Sequence, residues 1–216
     1  KVVVCDLSEA AIAETLKLCG EAGAQTLGCV ANVTDNSTLK AMVQATLAKF
    51  GRIDCLVNNA GIVADAQMKN MTEDQFDKVI AVNLKGVFNA TKAVVDTMIA
   101  QQSGVILNSS SIVGLYGNFG QTNYAAAKFG VIGMAKTWAR ELGRKGIRSN
   151  AVCPGFISTS ILATIPEKVI NALEEKVPMG RLGHPEDVAN TFAFLASDEA
   201  SYINGAVIEV SGGLVI

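Results

Sequence analysis

The sequence has no C-x-x-C pair, no run of basic residues, no long apolar stretch and only one histidine. Each absence removes a class of function. Without clustered thiols or imidazoles there is no ligand set for zinc or an iron–sulfur cluster, and five scattered cysteines inside apolar runs read as buried, reduced thiols. Basic and acidic residues number 18 and 20, a net charge of −2, so nothing neutralises several phosphates in a row and nucleic acid is not an expected partner. Apolar stretches are broken well short of the roughly 18 residues that a membrane span needs, and no signal-like segment opens the chain. The expectation is a cytoplasmic protein that does not bind membranes. The single histidine, His184, sits in LGHPED ahead of Pro185, Glu186 and Asp187, which suits the opening of a helix better than catalysis.

What is present is half hydrophobic and only 18% charged, as befits a sheet covered on both faces. Short β-branched runs alternate with longer helical ones. KVVVC precedes a helix from about Ser8, QTLGCV a helix from about Asn36, and IDCLVNN helices across Thr72 to Gln101. The rhythm continues through VILNSS, a long helix after Thr122, IRSNAVC, a helix from Pro185, and AVIEV. This alternation predicts one α/β domain over residues 1–216, a doubly wound parallel sheet with helices on both faces, of Rossmann type. Residues 156–183, where Pro166 and Pro178 frame a polar helix from about Glu167 to Lys176, read as a mobile insertion over a substrate site.

Asp6 ends the first strand. In a dinucleotide-binding fold a carboxylate at the tip of the second strand binds the adenosine ribose and repels a 2′-phosphate, which favours NAD(H) without excluding NADP(H). The glycine-rich turn that cradles the pyrophosphate belongs about 20 residues before such an acid. The chain is therefore expected to lack the fold's first strand and helix, with roughly 30 further residues upstream. That strand would lie between the ones ending at Asp6 and Asn58.

NNAG, Asn58 to Gly61, closes another strand with a glycine that admits a ligand, and ILNSSS brings hydroxyls to the same edge. The stretch GQTNYAAAK then places Tyr124 and Lys128 on one helix face. A phenol, with a pKa of about 10, is a poor acid–base group near neutrality. A cation about 4 Å away is worth up to roughly 4 kcal/mol at an effective dielectric near 20, or about three pKa units. Lys128, helped by the charge of an oxidised nicotinamide, is thus expected to bring Tyr124 into a useful range, with Ser111 donating to a substrate oxygen.

Taken together, Asp6, NNAG, VNLKGVF around Asn83, Ser111, Y-x-x-x-K and PGFISTS resemble the classical short-chain dehydrogenase/reductase family, and within it the 3-oxoacyl-[acyl-carrier-protein] reductases. The resemblance implies hydride transfer between a nicotinamide and a carbonyl or secondary alcohol. It implies Tyr124 as general acid, Ser111 positioning the carbonyl, Lys128 binding the nicotinamide ribose, and Asn83 holding a water that links Lys128 to a proton relay. It also places Asp6 and Leu7 at the adenosine ribose, Asn32 and Val33 near adenine, Asn58, Ala60 and Gly61 along the cofactor, and Pro154, Gly155, Ile157 and Thr159 at the nicotinamide end.

Two features depart from the carrier-protein reductase pattern. Those enzymes mostly prefer NADPH, which Asp6 disfavours, and many carry basic residues where this chain reads Gln101, Gln102 and Ser103. Arg144 and Lys145 retain some positive charge, so steering of an acidic acyl carrier protein is expected to be weak. The alternative is an NAD-dependent secondary-alcohol or hydroxysteroid dehydrogenase; a non-catalytic nucleotide sensor is a second. Self-association is expected through Phe88, Val94, Trp138 and Leu142 and through the C-terminal GGLVI. The resemblance implies a homotetramer.

Overall fold

A computed structural model describes residues 1–159 and 167–215. Strand β1 (Val2–Asp6) leads through α1 (Glu9–Glu21) to β2 (Thr26–Val30), and α2 (Asn36–Phe50) leads to β3 (Cys55–Asn58). Then come α3 (Glu73–Ile80), a π-helical turn (Ala81–Lys85), α4 (Gly86–Gln101) and β4 (Gly104–Ser109). The short α5 (Val113–Tyr116), the long α6 (Thr122–Leu142), β5 (Ile147–Pro154), α7 (Glu167–Glu174), α8 (Pro185–Ala196) and β6 (Val207–Val210) complete the described elements.

All pairings are parallel. A four-stranded sheet has the order β3-β4-β5-β6, and β1 and β2 form a separate two-stranded sheet. The two sheets part between the strands ending at Asp6 and Asn58, where the sequence reading put a further strand, and Val57 on β3 is left 47% exposed there. Side chains alternate across the larger sheet as a pleat requires. Ile106 packs with Val94, Met98 and Leu142 from α4 and α6, whereas its neighbour Leu107 packs with Val152 and with Leu195 of α8. Helices therefore cover both faces, as the composition indicated.

The helix starts follow from orphan amides seeking acceptors. Ser8 accepts from Ala11, Asp35 from Ser37, and Thr72 forms a reciprocal capping box with Gln75. At α8 the Asp187 carboxylate accepts from the His184 amide at 2.8 Å and pairs with Arg181, which holds its pKa down to about 2. His184 opens a helix, as expected.

Three expectations need revision. The cysteines are not uniformly buried: Cys153 is, Cys19, Cys29 and Cys55 are half-buried, and Cys5 is exposed because it faces the cleft between the sheets. Of the apolar residues expected at a subunit contact, Val94 and Leu142 are core and Trp138 packs against it, because α4 and α6 turn those positions toward β4 and β5. Phe88 alone of that set stays exposed, joined by Phe129 on α6. Leu214 of GGLVI is buried with Ile112 and Val177, while Val215 is exposed.

Within residues 156–183, the backbones of Phe156 and Ser158 bond Gly183, so the segment's two ends meet. Val177 and Leu182 near its end are buried. Residues 160–166 of this segment, Pro166 included, lie outside the described residues.

Candidate active site

Parallel strands place all their carboxyl ends on one edge, and the sequence-predicted residues gather there. Between the sheets a cavity of about 770 Å³ is lined by Asp6 and Leu7, by Asn32 and Val33 after β2, and by Asn58, Ala60 and Gly61 after β3. Every cofactor residue expected at its adenosine side is in that wall. Asp6 accepts the Leu7 amide at 2.6 Å, which aims the carboxylate along the chain's turn. Asn32 accepts from both the amide and the hydroxyl of Thr34 in a tight turn, and the Val33 carbonyl accepts from Asn89. A side chain at Gly86 would put Cβ 2.6 Å from the Val33 methyl, so the glycine of VNLKGVF lets α4 approach the β2 loop.

Asn58 is buried and donates to Thr91 and to Asn108 on the adjacent strand, pinning β3 against β4 at the cavity floor. Asn108 in turn donates to the Asn150 carbonyl on β5. These amides tie strand ends together, and among the described residues no buried side-chain nitrogen or oxygen lacks a partner.

The reactive groups sit at the far side. Lys128 is only 4% exposed, its ammonium donates to the Ser109 carbonyl at 2.7 Å, and it lies 5.5 Å from the centre of the Tyr124 ring. A Cβ built at Gly61 would fall 3.7 Å from that ammonium and 3.6 Å from Asn83 Oδ1. Gly61, in the cavity wall, is thus a near neighbour of both. Helix α5 crosses Lys128 closely: a Cβ at Gly114 would lie 2.8 Å from the Lys128 carbonyl carbon. Burial lowers the Lys128 pKa to about 8, with Cys153 acting in the opposite direction.

Tyr124 differs from the sequence-based expectation. Burial raises its pKa, Ser111 lowers it through a hydrogen bond, and Asp65 raises it. Desolvation is the largest influence, and Lys128, whose ammonium lies over the ring and bonds Ser109, is not among the groups that lower the phenol's pKa. Ser111 is buried and its hydroxyl also accepts the Val113 amide at 3.1 Å. Asn83, wholly buried in the π turn, gives its side chain to Ile62, donating to its carbonyl at 2.8 Å and accepting its amide at 2.9 Å.

Pro154 and Gly155 close β5 on the same edge, held by Ile112 and Val210, and Ile157 bridges Gly183. Thr159 is exposed at the limit of the described residues. The walls of the cavity include neither these four nor Asn83, Ser111, Tyr124 and Lys128. Sequence reasoning missed Asp65, Gln121 and Asn123, which hold the loop after NNAG to the start of α6. Asn123 stood beside Tyr124 in the sequence, but no spacing rule marks a residue whose partners are backbone carbonyls.

A family model described as Enoyl-(Acyl carrier protein) reductase matches residues 1–215. The chain belongs to the short-chain dehydrogenase/reductase family. As a short-chain dehydrogenase/reductase it is an oxidoreductase acting on CH–OH groups with a nicotinamide cofactor. It is 57% identical over 187 residues to the 3-oxoacyl-[acyl-carrier-protein] reductase FabG of Thermotoga maritima, covering 87% of this chain and 76% of that one. It is 46% identical over 222 residues to the (3R)-3-hydroxyacyl-CoA dehydrogenase of Homo sapiens, covering 99% and 85%. Among solved structures it is similar to levodione reductase, with a TM-score of 0.90 and 39% identity over 99% of this chain and 87% of that one. The Rossmann-type fold of this short-chain dehydrogenase/reductase is thereby shared with a reductase of known structure.

Proposed function

We propose that the chain reduces 3-oxoacyl thioesters to 3-hydroxyacyl thioesters, drawing on NADH in preference to NADPH. The observation that carries this reading is the meeting of Ser111, Tyr124 and the buried Lys128 at the carboxyl edge of the sheet, with the Lys128 ammonium next to Gly61 of the cavity wall. Likeness to a 3-oxoacyl thioester reductase at 57% identity supports the substrate class.

Asp6 and the backbone turns of small residues in the cavity wall suit the adenosine side of a dinucleotide, and the Lys128 ammonium lies next to Gly61, beyond that wall. Asp6, Leu7, Asn32, Val33, Asn58, Ala60 and Gly61 would hold NAD(H), and Lys128 with Tyr124, Pro154, Gly155, Ile157 and Thr159 would border its nicotinamide end. When bound it supplies the hydride. The protein's own groups supply the rest. Ser111 donates a hydrogen bond to the substrate carbonyl, and Tyr124 protonates the oxygen where negative charge develops in the transition state. A phenol whose pKa is raised by burial is fully protonated at neutral pH, which suits an acid in the reductive direction. Because the Asn83 side chain is engaged by Ile62, any water relayed toward Lys128 falls to the main chain of the π turn.

The second reading, oxidation of a 3-hydroxyacyl-CoA or another secondary alcohol with NAD, is favoured by Asp6 and by Gln101, Gln102 and Ser103 at the end of α4. These give an acidic carrier protein no basic surface. Exposed Phe88 and Phe129 on α4 and α6 support assembly into a homotetramer, which light scattering would read directly. Among the described residues no helix is long and apolar enough to cross a membrane.

The test is a matrix of acetoacetyl thioesters, 3-hydroxyacyl-CoA, hydroxysteroids and simple alcohols against both cofactors in both directions. Highest kcat/KM for an acetoacetyl thioester with NADH supports the proposal; a higher value for steroid or simple alcohol overturns it.

A further inference from the structure

Asn123 is wholly buried in the first turn of α6, immediately before Tyr124. Its amide donates to the Ala64 carbonyl in the loop after NNAG and to the Gln75 carbonyl on α3, each at 3.0 Å. Its side-chain oxygen accepts the Tyr124 amide at 2.8 Å. That amide is one of the orphan donors of the helix start, so a single side chain fixes the main chain of Tyr124 to two other elements. The loop it grips is held nearby as well. Gln121 donates to Asp65 at 2.9 Å, the Ala66 amide donates to the Gly120 carbonyl at 2.9 Å, and Asn83 takes both polar atoms of Ile62. Ile62 and Gly61 are themselves cavity wall. A continuous set of bonds therefore runs from the wall that faces Lys128 to the backbone that carries the phenol.

We propose that Asn123 is a positioning residue, which sets the distance between the Tyr124 phenol and the Gly61–Ile62 wall by bonding Ala64, Gln75 and Tyr124 at once. It rests on the reading of Tyr124 as the proton donor, and it adds a residue that touches neither substrate nor cofactor. A buried side chain whose bonds are all to backbone of separate elements controls placement more than chemistry.

The experiment compares wild type with Asn123→Ala and the isosteric Asn123→Asp, well below each protein's melting temperature. The carbonyl substrate is the one that wild type turns over best. Misplacement of a reacting group is worth up to about a hundredfold in rate, so Asn123→Ala is expected to lower kcat by about 10- to 100-fold. NADH affinity should stay within about threefold, and the isotope effect on kcat with NADH deuterated at the transferred position should rise as the chemical step becomes limiting. In Asn123→Asp the two donors are lost while the carboxyl is ionised, and one returns on protonation. Its kcat relative to wild type should therefore recover as pH falls from 8 to 6, which a loss of stability alone would not produce. Independently of turnover, amide exchange at Tyr124 and Ala66 should lose protection in Asn123→Ala.

A kcat within threefold of wild type, or equal losses in kcat and NADH affinity with an unchanged isotope effect, overturns the proposal. Wild type that reduces no 3-oxoacyl thioester overturns the substrate reading instead, and amide exchange still decides the present one: unaltered protection at Tyr124 and Ala66 sinks it.

Discussion

Lys128 is a charged group in a dry place, and replacing it with methionine should change stability in a pH-dependent way that no surface lysine would show. Its pKa is lowered from 10.5 to about 8 by burial. Between those values the unfolded chain holds a proton that the folded one has released, so the stability of the wild type rises with pH across that window. The charged form disfavours the fold by about 3 kcal/mol at pH 7 and by about 1.4 kcal/mol at about pH 9.5. Methionine removes that term at every pH. It also leaves the Ser109 carbonyl without its 2.7 Å partner, which costs about 1–3 kcal/mol but does not titrate. The two effects nearly offset at pH 7, and the pH dependence remains. Urea unfolding of both proteins, without cofactor or substrate, should show the wild type gaining about 2 kcal/mol on Lys128→Met between pH 7 and about 9.5. A stability difference constant to within about 0.5 kcal/mol over that range would refute the claim that the ammonium is buried and charged.

Two further outcomes follow from the geometry. Asp6→Ala removes the carboxylate expected to repel a 2′-phosphate, so the ratio of kcat/KM for NADPH to that for NADH should rise by about 10- to 100-fold, read by initial rates with each cofactor; an unchanged ratio would show that Asp6 does not select. Gly114→Ala would place Cβ 2.8 Å from the Lys128 carbonyl carbon, a backbone atom that cannot swing away. It should destabilise by about 1–3 kcal/mol in urea unfolding, whereas an effect under about 0.5 kcal/mol would mean that α5 does not pack on α6 as described.

Much of the fold was legible because β-branched runs and capped helices are local signals. KVVVC, QTLGCV and VILNSS became β1, β2 and β4, and Ser8, Thr72 and Pro185 opened helices where their side chains or ring require it. The π turn that buries Asn83 left no such mark, since one extra residue shifts the apolar spacing only locally, within the few residues by which a helix pattern is uncertain. The site was legible as a set of positions but not as an electrostatic arrangement. Spacing put Tyr124 and Lys128 on one face, yet burial decides the direction of both pKa shifts, and the approach of α5 and β4 to Lys128 is tertiary packing that no local pattern specifies. The same holds for Phe88, Val94, Trp138 and Leu142: their apolar character was plain, and which of them faced the sheet was not.

The proposed reduction depends on Tyr124 as the group that protonates the reduced oxygen. Steady-state reduction of an acetoacetyl thioester, followed by loss of NADH absorbance, tests this in wild type and Tyr124→Phe side by side. A fall in kcat of about 10²-fold or more in the variant, with NADH affinity within about threefold, is the predicted result. A variant that turns over at near the wild-type rate would contradict the account at its centre.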